Sequence, residues 1–276
     1  MSHKSLSDRM KAYETVTTCY ALTRRIPVIL RLDGKAFHSL TKILEAPYDD
    51  TFHRCMCQAA IEVCAVTQGS KLAYHFSDEI SILLVDYDTV DTDAYFAYNL
   101  QKLVSITASL YTARFAEVCL NTGLPWCLPF KSFDCRSFNV PRDDVVNYFL
   151  FRQQDCTRNS IQTLARCFYS HKELLNKNTS EMQDMLMEKG VNWNDQTTIF
   201  KRGVSILKGG TGISSKWVAD YEAPIFTKNR DYIERLLEPE PEPFELPEGN
   251  KRFKDLEALG FKQEHRQEDS ELSKTQ

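Results

Sequence analysis

Three acidic residues of this sequence have the chemistry to hold divalent metal ions. Asp33 follows a short apolar run and precedes Gly34, and Asp78 and Glu79 stand side by side after Ser77. Carboxylate oxygens are the hard ligands that Mg²⁺ prefers. Two such ions, about 3.5–4 Å apart, lower the pKa of an attacking hydroxyl and neutralise a leaving phosphate. These acids predict a two-metal phosphoryl-transfer site if the fold brings them together.

The backbone beside Asp33 could hold the phosphates of a nucleotide. Gly34 has no Cβ, so its backbone allows close approach and its carbonyl can add a metal ligand. The exposed amides that follow can form an anion-binding nest, and they belong to Gly34, Lys35, Ala36, Phe37 and His38. Asp-Gly and Ser-Asp-Glu are also typical of ordinary turns. His38 is equally compatible with a packed histidine, since metal-dependent phosphoryl transfer needs no histidine base.

The acids can converge only if the elements around them form one sheet. The β-branched run at 26–32 predicts a buried strand that ends at Asp33, and two short runs around Ser77 predict a hairpin with the acidic pair at its tip. Apolar residues at helical spacing predict two helices, and one more β-strand pattern predicts a fourth strand. The predicted strands are 26–32, 72–76, 80–85 and 131–140, and the predicted helices are 51–66 and 93–118.

This order of elements predicts an α+β fold. The arrangement β-α-β-β-α-β is a split βαβ unit, in which four antiparallel strands carry helices on one face, as in the palm of polymerases and cyclases. We predict a palm catalytic domain over 1–140 and a helical region with a small C-terminal hairpin over 141–236, for RNA binding or oligomerisation. Residues 237–276 are predicted to be an acidic, proline-rich linker and a disordered tail.

Charge is distributed unevenly along the chain. The net charge of −4 argues against a protein that coats nucleic acid without specificity. Residues 151–217 contain ten basic and six acidic side chains, a difference of +4. A positive second half beside an acidic site is compatible with RNA held against bound metal, although solvated helix faces give similar counts.

Cysteine usage and hydropathy predict a cytoplasmic protein without a membrane partner. The nine cysteines include no CxxC pair, which is typical of reduced thiols in a reducing compartment. A zinc site at His53, Cys55 and Cys57 would match no common ligand spacing. The N-terminus is polar, and no stretch approaches the roughly 18 apolar residues that a membrane span requires.

Four segments, in order along the chain, resemble the motifs of the tRNA-histidine guanylyltransferase family. RLDGKAFH at 31–38 resembles RxDGxxFH, and HFSDEIS at 75–81 resembles SDExS. FDCRSF at 133–138 resembles FDxR, and RQQDCTRNS at 152–160 resembles RQxD. The agreement runs from about residue 5 to residue 217. Members of this family add nucleotides in the 3′ to 5′ direction on a palm similar to that of ordinary polymerases.

The resemblance implies roles for individual residues. Asp33, Gly34 and Asp78 would hold two Mg²⁺ ions, and Glu79 would support this catalytic carboxylate cluster. The residues that would bind ATP or GTP as substrate are Asp33, Gly34, Lys35, Ala36, Phe37, His38, Ser77, Asp78 and Lys102. Those that would contact RNA are Arg152, Arg158, Asn159 and Lys177. Lys102 and Lys177 are explained equally well as solvated surface residues.

One departure bears on the substrate. Eukaryotic guanylyltransferases have His-Ile-Asn-Asn where this chain has Thr157-Arg158-Asn159-Ser160, a version that resembles the tRNA-repair branch. The resemblance implies template-dependent addition to 5′-truncated tRNA after ATP activates the 5′ end, by an enzyme that forms a homotetramer. The alternatives are guanosine addition to tRNA-His, a nucleotidyl cyclase-like palm enzyme, and an inactive RNA-binding module.

Overall fold

Six antiparallel strands form the central sheet. The computed structural model describes residues 5–16, 18–37, 44–122, 131–209 and 216–239. The strands lie in the order β4-β1-β3-β2-β5-β6. Their bounds are β1 Val28–Gly34, β2 Ser70–Phe76, β3 Glu79–Leu84, β4 Phe133–Asn139, β5 Val204–Gly209 and β6 Lys216–Asp220. The four strands from β4 to β2 are the predicted palm, and the α+β prediction is confirmed.

Eight α-helices accompany the sheet in the described part of the chain, together with three short 3₁₀ turns. The first four helices are α1 Leu6–Thr15, α2 Asp50–Val66, α3 Leu100–Asn121 and α4 Arg142–Arg166. The remaining four are α5 His171–Leu174, α6 Thr179–Glu188, α7 Thr198–Arg202 and α8 Asp231–Glu234. The 3₁₀ turns are Tyr95–Tyr98, Trp193–Asp195 and Arg235–Leu237. Most of the longer helices begin with a side-chain cap, as α2 does with Asp49.

The first face of the sheet is covered by α2 and α3. Alternate residues of a strand point to opposite faces, and Val28, Leu30 and Leu32 of β1 are fully buried in the cluster formed with these helices. By length and composition α3 is apolar enough to cross a bilayer, so the expectation that no stretch approaches this limit was wrong. Residues of α3 such as Tyr111 and Phe115 nevertheless pack into this cluster. We therefore interpret α3 as a core helix.

The second face is covered by α4, which belongs to the predicted helical second half, whereas the two predicted palm helices, α2 and α3, lie together on the first face as predicted. Ile29 and Leu83 are buried here against Val145 and Phe149 of α4. The predicted C-terminal hairpin is formed by β5 and β6, and because β5 pairs with β2, the hairpin extends the palm sheet. The region from 141 onward thus completes the same sheet and its second layer.

Several predicted features lie outside the described residues. They include His38, one of the nine cysteines, Cys127, and the part of the linker and tail beyond Pro239. The first strand begins and ends two residues later than predicted, so Asp33 lies within β1 and takes part in its pairing.

Gly203 provides a test of how β2 and α7 meet. It follows α7 with φ 74° and ψ −167°, and a Cβ there would lie 2.5 Å from the carbonyl oxygen of His75. We expect Gly203→Ala to lower the free energy of unfolding by about 1–3 kcal/mol or more, since only glycine adopts this conformation without strain. Urea unfolding measures the loss.

Gly190 is the matched control. Its φ is 73°, and a Cβ there would meet nothing within 4 Å. Gly190→Ala should therefore cost only the backbone term, about 1–2 kcal/mol. Equal losses for the two substitutions would show that the contact between Gly203 and β2 is unimportant.

Candidate active site

Sheet pairing places three carboxylates in one row. Asp33 of β1 lies directly opposite Glu79 of β3 and Asp134 of β4. Residues paired in this way point to the same face, with Cβ atoms about 4.5–5.5 Å apart. Asp78 adjoins the row, because its carbonyl accepts a 3.1 Å hydrogen bond from the Gly34 amide. The structure thus brings together the three acids that the sequence singled out and adds Asp134.

The hairpin tip that presents Asp78 is strained. Ser77 and Asp78 form the two-residue connection between β2 and β3, and Ser77 has φ 50°. This left-handed region favours glycine, and other residues there are commonest where function fixes the backbone. The Ser77 hydroxyl donates a 3.1 Å hydrogen bond to the Asp78 carboxylate. The tip therefore fixes both the position and the orientation of this acid.

The negative charge of Asp33 and Asp78 is poorly compensated by the protein. Burial raises the pKa of Asp78, and the charges of Asp33 and Glu79 raise it further. Asp33 lies 3.9 Å from the nearest guanidinium nitrogen of Arg31. In the part of the chain that the structure describes, no lysine or arginine forms an ion pair with Asp78. A divalent cation would supply the missing positive charge.

The donor set fits a magnesium ion that binds with substrate. No three histidine, cysteine or acidic side chains of the described residues form a ready-made metal site. The oxygens that remain for metal are the carboxylates of Asp33 and Asp78 and the Gly34 carbonyl. Mg²⁺ commonly binds through one or two carboxylates, with waters and substrate phosphates completing its octahedron. Two carboxylates and one carbonyl, with little positive charge beside them, match that pattern.

Glu79 is held by two arginines. Arg31 Nη2 lies 2.5 Å from Glu79 Oε2, and Arg152 Nη1 lies 3.0 Å from Oε1. The side chains of Glu79 and Arg152 are only 8% and 5% exposed. Both carboxylate oxygens of Glu79 are therefore paired with guanidinium groups, which fits the supporting role that the resemblance implies for Glu79. Arg152, which was expected to contact RNA, lies inside the protein and also pairs with Asp155 at 2.8 Å.

The loop after Asp33 is anchored by Phe37. The ring of Phe37 is buried and lies 5.0 Å, between centroids, from the ring of Phe133. A Cβ on Gly34 would lie 2.4 Å from this ring. The position therefore requires glycine because the aromatic side chain folds back over it.

Part of the predicted anion nest is already hydrogen-bonded. The Gly34 amide donates to the Asp78 carbonyl, and the Lys35 amide donates to the Ser132 carbonyl at 2.8 Å. These two amides are therefore not available to phosphate. The prediction assumed that a turn follows Asp33, whereas β-sheet pairing continues through Gly34.

A cleft of about 660 Å³ opens beside Ser77 and Asp78. Its other walls are the segment 44–49, the first turn of α2, part of α7 and one face of α4. Asn159, Thr163 and Arg166 recur at helical spacing on that face. Cavities of about 300–1,000 Å³ are typical of small-molecule sites. The cleft has the volume for a nucleotide whose phosphates reach the acids.

The remaining predicted residues lie at varying distances from this site. Asn159 lines the cleft, whereas Arg158 and Lys177 are exposed and pair with Asp155 and Glu181. Lys102 lies ten residues before Thr112, whose hydroxyl accepts from the Phe133 amide. At 1.5 Å per residue, about 15 Å of helix separates them. Lys102 therefore lies far from the acids of its own chain.

Sequence reasoning missed the residues that shape the cleft. Asp134 belonged to a recognised motif but received no role, although the register of β4 places it opposite Asp33. His53 was considered only as a zinc ligand and Arg166 only as one of the basic side chains of 151–217, although both line the cleft. The spacing of Asn159, Thr163 and Arg166 was the available signal, since it places three polar groups on one helix face.

Comparison with known proteins identifies relatives of this chain. A profile described as tRNA(His) guanylyltransferase matches residues 7–141. A bacterial tRNA(His) guanylyltransferase-like protein solved in complex with ATP is 42% identical, with a TM-score of 0.80 over 85% of this chain and 100% of that one. A second such structure, in complex with GTP, is 39% identical, with a TM-score of 0.74 over 85% and 99%. The tRNA(His) guanylyltransferase of Schizosaccharomyces pombe is 29% identical over 72% of this chain and 79% of its own.

Removal of one arginine tests the buried ion pairs. Arg152→Met should lower the free energy of unfolding by about 3–5 kcal/mol, because it leaves buried carboxylates without their partner. Urea denaturation measures the loss. Introduction of Glu79→Gln into the same variant should recover part of it, with a coupling energy of about 1 kcal/mol or more.

Arg158 supplies the control for this measurement. Its side chain is 62% exposed and pairs with Asp155, so Arg158→Met should cost less than about 1 kcal/mol. Additive effects of Arg152→Met and Glu79→Gln would contradict the pairing.

Proposed function

Because this chain belongs to the tRNA(His) guanylyltransferase family, we propose that it repairs 5′-truncated tRNA by template-dependent nucleotide addition in the 3′ to 5′ direction. The chain is a nucleotidyltransferase of that family. The single observation that supports a working active site is the convergence of Asp33 and Asp78 at one end of the sheet, with Asp78 lining the cleft.

Two Mg²⁺ ions are the proposed cofactors. Asp33, Asp78 and the Gly34 carbonyl would hold them, and bound magnesium would activate a hydroxyl and offset phosphate charge. Glu79 stays paired with Arg31 and Arg152, so its role is to set the position of β3 and with it the hairpin tip. Asp134 faces Asp33 from β4 and adds negative charge beside the metal ligands.

ATP and GTP are the proposed nucleotide substrates. Bacterial relatives at 42% and 39% identity were solved with ATP and with GTP, and the cleft here adjoins Ser77 and Asp78. The proposed route begins with ATP activation of the tRNA 5′ end. In this activation, ATP transfers AMP to the 5′-phosphate and pyrophosphate is released. The 3′-hydroxyl of the incoming nucleotide then attacks that phosphate and displaces AMP, and hydrolysis removes pyrophosphate from the triphosphate of the added nucleotide.

Template-dependent repair is favoured over the addition of one guanosine to tRNA-His. The segment Thr157-Arg158-Asn159-Ser160 supports this choice, as does the higher identity to the bacterial guanylyltransferase-like proteins than to the S. pombe enzyme. We propose that tRNA lies along the basic region 151–217, where Arg158 and Lys177 are exposed. A homotetramer in the cytoplasm is the proposed working form.

Replacement of the two metal acids tests the chemistry. Asp33→Asn and Asp78→Asn should each lower nucleotide addition to 5′-truncated tRNA by about 100-fold or more, because each removes charge that stabilises the transition state. Asp91→Asn changes an exposed acid elsewhere and should retain activity. A chelator should abolish the activity and Mg²⁺ should restore it. Full activity of Asp33→Asn would refute the proposed site.

A comparison of substrates tests the choice of reaction. The measurement is nucleotide addition to tRNA-His and to a tRNA lacking its first 5′ nucleotide, with each of the four bases at the opposing position. We expect the added nucleotide to follow the opposing base. Addition of guanosine alone, to tRNA-His alone, would contradict template dependence, and turnover of nucleotides without RNA would indicate a cyclase-like reaction.

A further inference from the structure

Two histidines share a hydrogen bond between the hairpin and the cleft. His53 Nδ1 of α2 lies 3.0 Å from His75 Nε2 of β2. His75 is fully buried, and its second nitrogen, Nδ1, lies 3.3 Å from the carbonyl oxygen of Glu79. His53 lines the cleft and remains partly exposed. The pair therefore connects the backbone of the catalytic hairpin to the wall of the cleft.

The backbone carbonyl determines where each proton lies. A carbonyl oxygen accepts hydrogen bonds and cannot donate them, so His75 Nδ1 must carry the hydrogen that Glu79 accepts. A neutral imidazole has one N–H, which leaves His75 Nε2 as an acceptor. His53 Nδ1 must then donate to it. By the same rule, His53 Nε2 has a lone pair and no hydrogen.

Both rings are neutral, which this assignment requires. Burial lowers the pKa of His75 to about 4. Burial also lowers the pKa of His53, and the nearby His75 lowers it further. Tyr48 stacks on the His53 ring, with centroids 4.1 Å apart and planes within 9°. Tyr48 therefore covers one face of the ring, and His53 lines the cleft with the remainder of its surface.

We propose that His53 Nε2 is a hydrogen-bond acceptor in the cleft that selects a purine with an amino group at position six, the base of ATP. The proposal rests on the proposed function and assigns this cleft to the ATP that activates the tRNA 5′ end, so GTP, with its six-oxo group, would bind in this cleft more weakly than ATP. A six-amino group donates a hydrogen bond to this nitrogen. A six-oxo group there would set two acceptors against each other.

The fixed tautomer makes the selection sharp. An isolated neutral histidine exchanges its proton between the two nitrogens and could serve as donor or acceptor. Here the Glu79 carbonyl and His75 remove that choice. A buried polar group left without a partner costs about 1–3 kcal/mol. That cost corresponds to roughly 10-fold or more in affinity.

The test is an equilibrium binding measurement without RNA. The probes are ATP, purine riboside triphosphate, which lacks the six-amino group, and inosine triphosphate, which has a six-oxo group. Wild-type protein should bind ATP about tenfold more tightly than either analogue, as one lost hydrogen bond in a desolvated site predicts. In His53→Leu, the three affinities should come within about threefold of one another.

His171→Leu is the matched control, because it removes an exposed histidine of α5 away from the cleft. It should keep the wild-type preference. Nitrogen NMR of the imidazoles gives an independent measurement, in which His53 and His75 should both carry hydrogen on Nδ1. The resonances that disappear in His53→Leu belong to the His53 ring and so distinguish it from the His75 ring.

Equal binding of ATP and purine riboside triphosphate by wild-type protein would overturn the proposal, and this comparison needs no variant. Retention of the preference by folded His53→Leu would also overturn it. The proposed function fails separately, by the absence of nucleotide addition to truncated tRNA. A protein that adds nucleotides but binds the three probes equally would refute the role of His53 alone.

Discussion

The ion pairs of Glu79 with Arg31 and Arg152 are the interaction on which the rest of the site depends. They join β1, β3 and α4 at one buried point, and the side chains of Glu79 and Arg152 are almost inaccessible to solvent. An unpaired charge in such a place would cost several kcal/mol. The three elements must therefore meet in one relative position, and that position determines where Asp33 lies beside the hairpin tip.

This arrangement divides the acids into two electrostatic classes. Glu79 is neutralised by the protein itself, whereas Asp33 and Asp78 retain negative charge, as the raised pKa of Asp78 reflects. Repulsion between neighbouring carboxylates is unfavourable in the free protein and is relieved by a cation. Ser77, with its φ of 50°, gives the hairpin connection the conformation that places Asp78 in this unfavourable arrangement. The fold therefore keeps two carboxylates close together at the hairpin tip, and a metal ion that binds with the substrate can relieve their repulsion.

The sequence predicted the palm well because its signals are local. Strand alternation and the Ser77–Glu79 turn located β1, β2 and β3 to within two residues. The attachment of β5 to β2 and of α4 to the second face depends on contacts between distant segments, which periodicity does not encode. The pairing that occupies the amides of Gly34 and Lys35 was hidden for the same reason. The contact between His53 and His75 was hidden too, because the two residues are 22 positions apart in the sequence.

The metal acids and the recognition groups come from different kinds of element. Asp33 lies near the end of β1 and Asp78 in the β2–β3 connection, so the register of the sheet determines where both acids lie. The cleft walls come from α2, α4 and the segment 44–49, whose side chains can vary without shifting that register. His53 is the exception, because its tautomer is determined through His75 by the backbone of Glu79. Base recognition at His53 is therefore coupled to the hairpin that presents the metal ligands.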